Sequence, residues 1–131
     1  MTAFSRLPLA FFEYNTMERT TTISPPLDNS ICPVARTAKI ISGKWTLLII
    51  RDLASGVKRF NELERSLEGI SPKTLSERLR HLEEEGIVRR ETFAEVPPRV
   101  EYSLSERGHD LTNVIECMRC YGNQWLCDAK E

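Results

Sequence analysis

No stretch of this 131-residue chain is apolar for long enough to span a bilayer, which takes roughly 20 residues. The longest run, Trp45-Thr46-Leu47-Leu48-Ile49-Ile50, is closed off by Lys44 and Arg51 and reads as a core helix. Net charge is nearly absent too: 18 Lys and Arg against 19 Asp and Glu leave −1. That excludes a bulk polycation, so any nucleic-acid surface has to be a local basic stripe. The marks of an enzyme are also missing. There is no glycine-rich phosphate loop and no Gly-x-Ser-x-Gly elbow, and His81 and His109 have no evident nucleophile beside them. The reading is a non-enzyme with no cofactor and no metal site. The N-terminus offers Arg6, a short apolar patch from Leu7 to Phe12, then Glu13 and Glu18, with no small-residue cleavage site. This argues against a secretory leader. A cytoplasmic chain is expected, with its four cysteines, Cys32, Cys117, Cys120 and Cys127, reduced at rest.

What is present suffices for one ordinary domain: 40% hydrophobic and 28% charged residues. Residues 1–29 differ from the rest, with Arg19-Thr20-Thr21-Thr22 and Ser24-Pro25-Pro26. They read as a weakly structured arm whose aromatics, Phe4, Phe11, Phe12 and Tyr14, suit docking; Met17 is an alternative start. Residues 30–131 form the body.

The body opens at Cys32-Pro33, where proline suits the first position of a helix. Val34, Ala38 and Ile41 keep a helical period up to Gly43. A second helix is expected from Lys44 or Trp45 to about Ala54, stopped by Ser55-Gly56. A third spans roughly Arg59 to Leu67, with Phe60, Leu63 and Leu67 on one stripe. Next, Ser71 is a good N-cap and Pro72 a good first residue, and Ile70 and Leu75 sit where a hydrophobic staple would. That fourth helix carries Leu75, Leu79 and Leu82 on one face and ends at Gly86. The period then changes to 2 over Ile87–Phe93 and Arg99–Leu104, separated by Ala94-Glu95-Val96-Pro97-Pro98, which cannot continue a ladder. This predicts a two-stranded hairpin. Ser105 caps one final helix with a long apolar stripe. The fold class is mainly α with a small β-hairpin wing: a winged helix-turn-helix with a C-terminal dimerisation helix.

The helix from Ser71 to Glu85 is the candidate reading helix. Lys73, Thr74, Ser76 and Arg80 point outward from its N-terminal half, residue types suited to base edges and phosphates. Glu83-Glu84-Glu85 place acid at the far end. Lys58 and Arg59 open the preceding helix, Arg89 and Arg90 begin the hairpin, and Arg99 follows its tip. Cations on these flanking elements supply affinity and register rather than sequence choice. Arg78 falls beside the core on a helical wheel, so it is either structural or reaches a phosphate.

Several segments in one order now resemble a known family. They are Cys32-Pro33-Val34, Gly43-Lys44-Trp45-Thr46-Leu47-Leu48-Ile49, Arg59-Phe60-Asn61-Glu62-Leu63, Ile70-Ser71-Pro72-Lys73-Thr74-Leu75-Ser76-Glu77-Arg78-Leu79 and Val96-Pro97-Pro98-Arg99-Val100-Glu101-Tyr102-Ser103-Leu104. Over about residues 30 to 126 the chain resembles the HxlR family of bacterial regulators. The resemblance implies a homodimeric winged-helix DNA binder of MarR-like architecture, dimerising through its terminal helices and binding two half-sites of a double-stranded operator. It maps Lys73, Thr74, Ser76 and Arg80 to the groove-facing helix and Arg89, Arg90 and Arg99 to the wing.

The final helix points to dimerisation on its own. Leu111, Ile115, Met118, Gly122 and Trp125 follow heptad-like spacing, a stripe too long for one small domain to cover, and Gly122 permits close approach. Cys32, at the positive end of the first helix with Arg36 one turn on, is the candidate for sensing oxidants or electrophiles. In the resembling family some members sense such species through a cysteine at this motif. Cys117 and Cys120 are helical neighbours at i and i+3. Interface burial, zinc, or a disulfide between Cys32 and a C-terminal cysteine of a second subunit are the readings open for this group. Two rival functions stand beside the redox regulator. One is the same fold controlled by a small ligand in a pocket of Trp45, Tyr121 and Trp125 at the dimer interface. The other is a winged-helix protein-assembly module that does not touch DNA.

Overall fold

The computed structural model describes residues 31–127. The arm at residues 1–29 lies outside the described residues. The element order is α1 (Pro33–Ile40), α2 (Lys44–Leu53), β1 (Lys58–Arg59), α3 (Phe60–Ser66), α4 (Pro72–Glu84), β2 (Val88–Phe93), β3 (Arg99–Leu104), α5 (Glu106–Asp110) and α6 (Thr112–Trp125). Apolar residues at helical spacing drive the packing. Ile49, Ile50 and Leu53 of α2, Leu63 of α3 and Leu75, Leu79 and Leu82 of α4 are essentially inaccessible and form one core with Ile87, Val88, Tyr102 and Leu104 of the sheet.

The ends of α4 follow from local chemistry. Ser71 caps its start, its Oγ accepting from the Thr74 backbone N–H at 3.1 Å, and Pro72 takes the first helical position. Its C-terminus closes on Gly86, whose φ of +74° suits glycine. The Gly86 N–H donates to Glu83 and the Ile87 N–H to Leu82, the paired bonds of a Schellman stop, while Ile87 and Leu82 are both buried. Two further groups hold this corner. Arg107 donates to the Glu85 carbonyl at 2.8 Å, and the Ser105 hydroxyl lies within hydrogen-bond distance of the Gly86 and Ile87 carbonyls while accepting from Gly108 N–H. The C-terminus of α4 is thus tied to the start of α5.

The structure departs from several expectations. Arg59 does not start the third helix; with Lys58 it forms a short strand that pairs with Tyr102 and Glu101, and α3 begins at Phe60. The expected hairpin is present as the antiparallel β2–β3 ladder, and β1 joins it as a third strand to give the order β1-β3-β2. Two residues are too few for a period to be read. The final helix is broken at Leu111 into α5 and α6. There the Thr112 hydroxyl takes the His109 carbonyl at 2.6 Å, and tighter bonds from Leu111 N–H to Gly108 and from Val114 N–H to Leu111 bridge the join. The alternation read over Ile87–Phe93 is also absent from burial: Val88 is buried, but Arg89 to Thr92 are all exposed. That strand runs beyond the core, with β3 as its sole partner among the described residues.

Candidate nucleic-acid interface

Burial of Leu75, Leu79 and Leu82 turns the opposite side of α4 to solvent. Lys73, Ser76, Glu77, Arg80 and Glu84 are all exposed there, and Thr74 is half-buried. The Thr74 hydroxyl accepts from Ser71 Oγ at 2.9 Å, which leaves its own proton free to donate. Arg80 pairs with Glu84 one turn on, at 3.2 Å. Both groups are largely in water, so the pair is weak and readily exchanged for a stronger anion.

Strand register decides which wing cations share a side with this helix. Arg90 stands opposite Tyr102, and Tyr102 is opposite Lys58, so this row lies on the core-facing side of the sheet. Ser76, Arg80, Glu83, Arg90 and Tyr102 line one groove of about 380 Å³ between α4 and the wing. Ser76, Arg80 and Arg90 are brought together as a site needs. Glu83 enters the same groove, so the acidic end of α4 is not wholly turned away. Side chains on a strand alternate between faces, and Arg59, Arg89, Arg99 and Glu101 therefore occupy the other face. Arg59 and Arg99 line a separate hollow of about 420 Å³ with the wing tip, Glu95 to Pro98.

Arg99 differs from the other wing cations. Its guanidinium pairs with Glu95 at 3.2 Å and Glu101 at 3.4 Å and lies 4.2 Å from the Phe93 ring centre. A phosphate contact by Arg99 competes with these carboxylates for its charge. Arg89 and Arg90 are exposed and have no carboxylate within 4 Å among the described residues. Two cations absent from the first set stand near α4. Lys44 lies 4.5 Å over the Trp45 ring, and the Arg78 guanidinium reaches across to Gly43. The wheel placed Arg78 beside the core; its length, which the wheel ignores, carries the charge past it.

Away from this surface, α1 and α6 contain no fully buried residue. Leu111 and Ile115 pack against the core, whereas Met118, Tyr121, Trp125 and Leu126 are 48 to 75% exposed. A Cβ on Gly122 would meet nothing within 4 Å of its own chain. A small apolar groove of about 240 Å³ between α2 and α6 is lined by Leu47, Leu48, Ile115 and Met118, with Arg51 and Arg119 at its sides. The Trp45 ring lies against Gly69.

All four cysteines are free thiols. Cys32 occupies the N-cap of α1, half-buried, with no side-chain capping bond. Burial pushes the Cys117 thiol up, and the neighbouring Cys120 and Glu116 add to the effect. Among the described residues no three His, Cys, Asp or Glu side chains gather as a metal site, and no helix is long and apolar enough to cross a membrane.

Known proteins share this arrangement. A transcriptional regulator of Synechocystis, sll1512, described as uncharacterised and of helix-turn-helix type, is 43% identical over 96 residues, covering 73% of this chain and 71% of the relative. A crystal structure assigned to the MarR family from Porphyromonas gingivalis W83 superposes with a TM-score of 0.74 at 37% identity, over 78% of this chain and all of that one. The redox regulator HypR in its oxidised form superposes with a TM-score of 0.69 at 40% identity, over 74% of this chain and all of that one. The family model described as HxlR-like helix-turn-helix matches residues 40–130, from the last residue of α1 through the wing and past the end of α6. This chain belongs to the HxlR-like helix-turn-helix family.

Proposed function

We propose that the protein is a sequence-specific DNA-binding transcriptional regulator that acts as a homodimer in the cytoplasm. The observation that carries this reading is the convergence of Ser76 and Arg80 of α4 with Arg90 of the wing on one open groove. In this reading Lys73, Thr74, Ser76 and Arg80 meet base edges and nearby phosphates. Arg59, Arg89 and Arg90 meet the sugar-phosphate backbone, with Arg99 joining them when its ion pairs exchange. Bases carry the specificity and phosphates the register. A second copy covers Met118, Tyr121 and Trp125 of α6, with Gly122 as the point of close approach and Leu111 and Ile115 holding the helix to its own core. Residues 30–131 are one DNA-binding and dimerising unit.

The signal is an oxidant or electrophile acting on Cys32. Its side chain is not engaged as a cap, and it is partly open to solvent. The likeness to HypR, a redox regulator, supports the same chemistry here. A titration of reduced and diamide-treated protein against duplex DNA from upstream of its own gene, at two salt concentrations, tests both parts. Salt-sensitive preference that changes on oxidation, and stops changing in Cys32→Ser, is expected. Binding indifferent to diamide would remove the sensor and keep the regulator.

A further inference from the structure

An α-helix with its side chains is about 10–12 Å across, close to the roughly 12 Å width of the DNA major groove. A helix seated there meets phosphates on both of its flanks, because each wall of the groove is one strand's backbone. The wing flank of α4 is served by Arg90, which shares a groove with Ser76 and Arg80. At 3.6 residues per turn, Ser76 and Glu83 lie about 90° to one side of the buried Leu75, Leu79 and Leu82, and Thr74, Arg78 and His81 lie a similar angle to the other. That second flank faces the start of α2.

There Arg78 reaches the backbone beside Lys44. The Arg78 side chain crosses from α4 until its Nη2 is 3.8 Å from where a Cβ on Gly43 would stand. Lys44 is the next residue along, exposed, with its ammonium 4.5 Å from the Trp45 ring centre. Trp45 itself packs towards Gly69, in the turn that leads into α4. Neither Lys44 nor Arg78 has a carboxylate within 4 Å among the described residues. Arg78 is half-buried. A guanidinium placed so, with no counter-ion among the described residues, suits an anion brought by a partner.

Resting on the regulator reading above, we infer that Lys44 and Arg78 form a second phosphate seat, which grips the DNA strand across the major groove from the one the wing meets. Each protomer of a dimer brings one such seat, so α4 is clamped between Arg90 on one wall and the Lys44–Arg78 pair on the other. The seat is blind to sequence, since phosphates carry none.

Titrations of the dimeric protein at several salt concentrations, on an operator recovered by selection and on a random duplex, test the seat. Lys44→Gln and Arg78→Gln are each expected to weaken both DNAs by the same factor. Each should also lower the steepness of log affinity against log salt by about 1.8, one phosphate from each of two protomers at about 0.9 apiece. Lys44→Arg, which keeps the charge, should bind like the parent. Lys39→Gln, on α1 and away from this flank, should change neither affinity nor slope. Arg78→Gln is checked for an unchanged thermal transition; Lys44 is exposed, so its variant carries the test if Arg78→Gln fails to fold. An unaltered slope in Lys44→Gln, with Lys73→Ala still losing discrimination, would overturn the seat and leave the regulator standing. A parent protein without salt-dependent DNA binding would overturn the regulator reading, and the seat with it.

Discussion

Arg99 and Phe93 face each other across the β2–β3 ladder, and the guanidinium of one lies 4.2 Å from the ring centre of the other. Glu95 and Glu101 close on the same guanidinium. A planar fork can stack and pair at once, which a lysine ammonium cannot. The wing tip is thus pinned by a cation that, from the sequence, looked free for DNA. Arg99→Lys keeps the charge but loses this geometry. Backbone amides from Phe93 to Arg99 should exchange faster with solvent, while Arg90→Lys leaves them unchanged; hydrogen exchange of the free protein reads both.

Base-reading and backbone cations should separate by their response to DNA sequence. Lys73→Ala or Arg80→Ala should cost about 1–3 kcal/mol on the operator if the residue makes a bidentate base contact, and much less on random DNA. Arg90→Ala should weaken both DNAs alike and lower the salt slope. Paired titrations measure this, and equal losses from all three changes would remove the assignment of α4 as the reading helix.

Gly108 sits where α5 crosses the end of the recognition-helix corner. A Cβ there would run into the Ile87 carbonyl, a backbone atom with little room to move. Gly108→Ala should destabilise by about 1–3 kcal/mol, as overpacking does, seen as a lower denaturation midpoint. Gly122 has open space around it in its own chain. Gly122→Leu should leave the monomer fold intact and weaken self-association, read by analytical ultracentrifugation.

The Thr46 hydroxyl is fully buried and has no hydrogen-bond partner among the described residues. Thr46 lies in the first turn of α2, whose preceding residues are not helical, and no carbonyl accepts from it. Thr46→Val replaces that hydroxyl with a methyl of nearly the same size. The desolvation cost of an unpaired buried hydroxyl is about 1–3 kcal/mol, so stability should rise, by about 1 kcal/mol, in a urea titration. A fall would show that the hydroxyl has a partner in solution.

Burial and its neighbours hold the Cys117 thiol above its ordinary range, so less of it is thiolate at a given pH. Cys127 is exposed. Iodoacetamide at neutral pH should modify Cys127 well before Cys117, and raising the pH should narrow the gap as Cys117 ionises; peptide mass mapping follows each site.

Much of the fold was legible because its rules are local. The Ser71-Pro72 start and Gly86 stop of α4 lie within a few residues of the bonds they make, and Leu75, Leu79 and Leu82 mark the buried face by spacing alone. What the sequence hid depends on distant partners. Lys58 and Arg59 become a strand only because Tyr102 and Glu101 lie alongside. The last helix breaks at Leu111, where the Thr112 hydroxyl competes for the His109 carbonyl, a contest that periodicity does not register. In the site, spacing found the outward face of α4 but treated wing cations as equivalent. Register then put Arg90 on the groove side and Arg59 and Arg89 on the other, and Arg99 against two carboxylates. Lys44 was passed over because it stands more than 25 residues from α4 in sequence and meets it only in the folded chain.

The central claim is that a dimer of this chain reads DNA through α4. Selection from a pool of random duplexes with purified protein, followed by sequencing of the bound fraction, tests it most directly. The expected result is an inverted repeat whose half-sites lie about 10–10.5 base pairs apart, or a multiple of that, bound more weakly as salt rises and no longer enriched by Lys73→Ala or Arg80→Ala. Recovery of no common sequence, with binding indifferent to salt and to both substitutions, would contradict it.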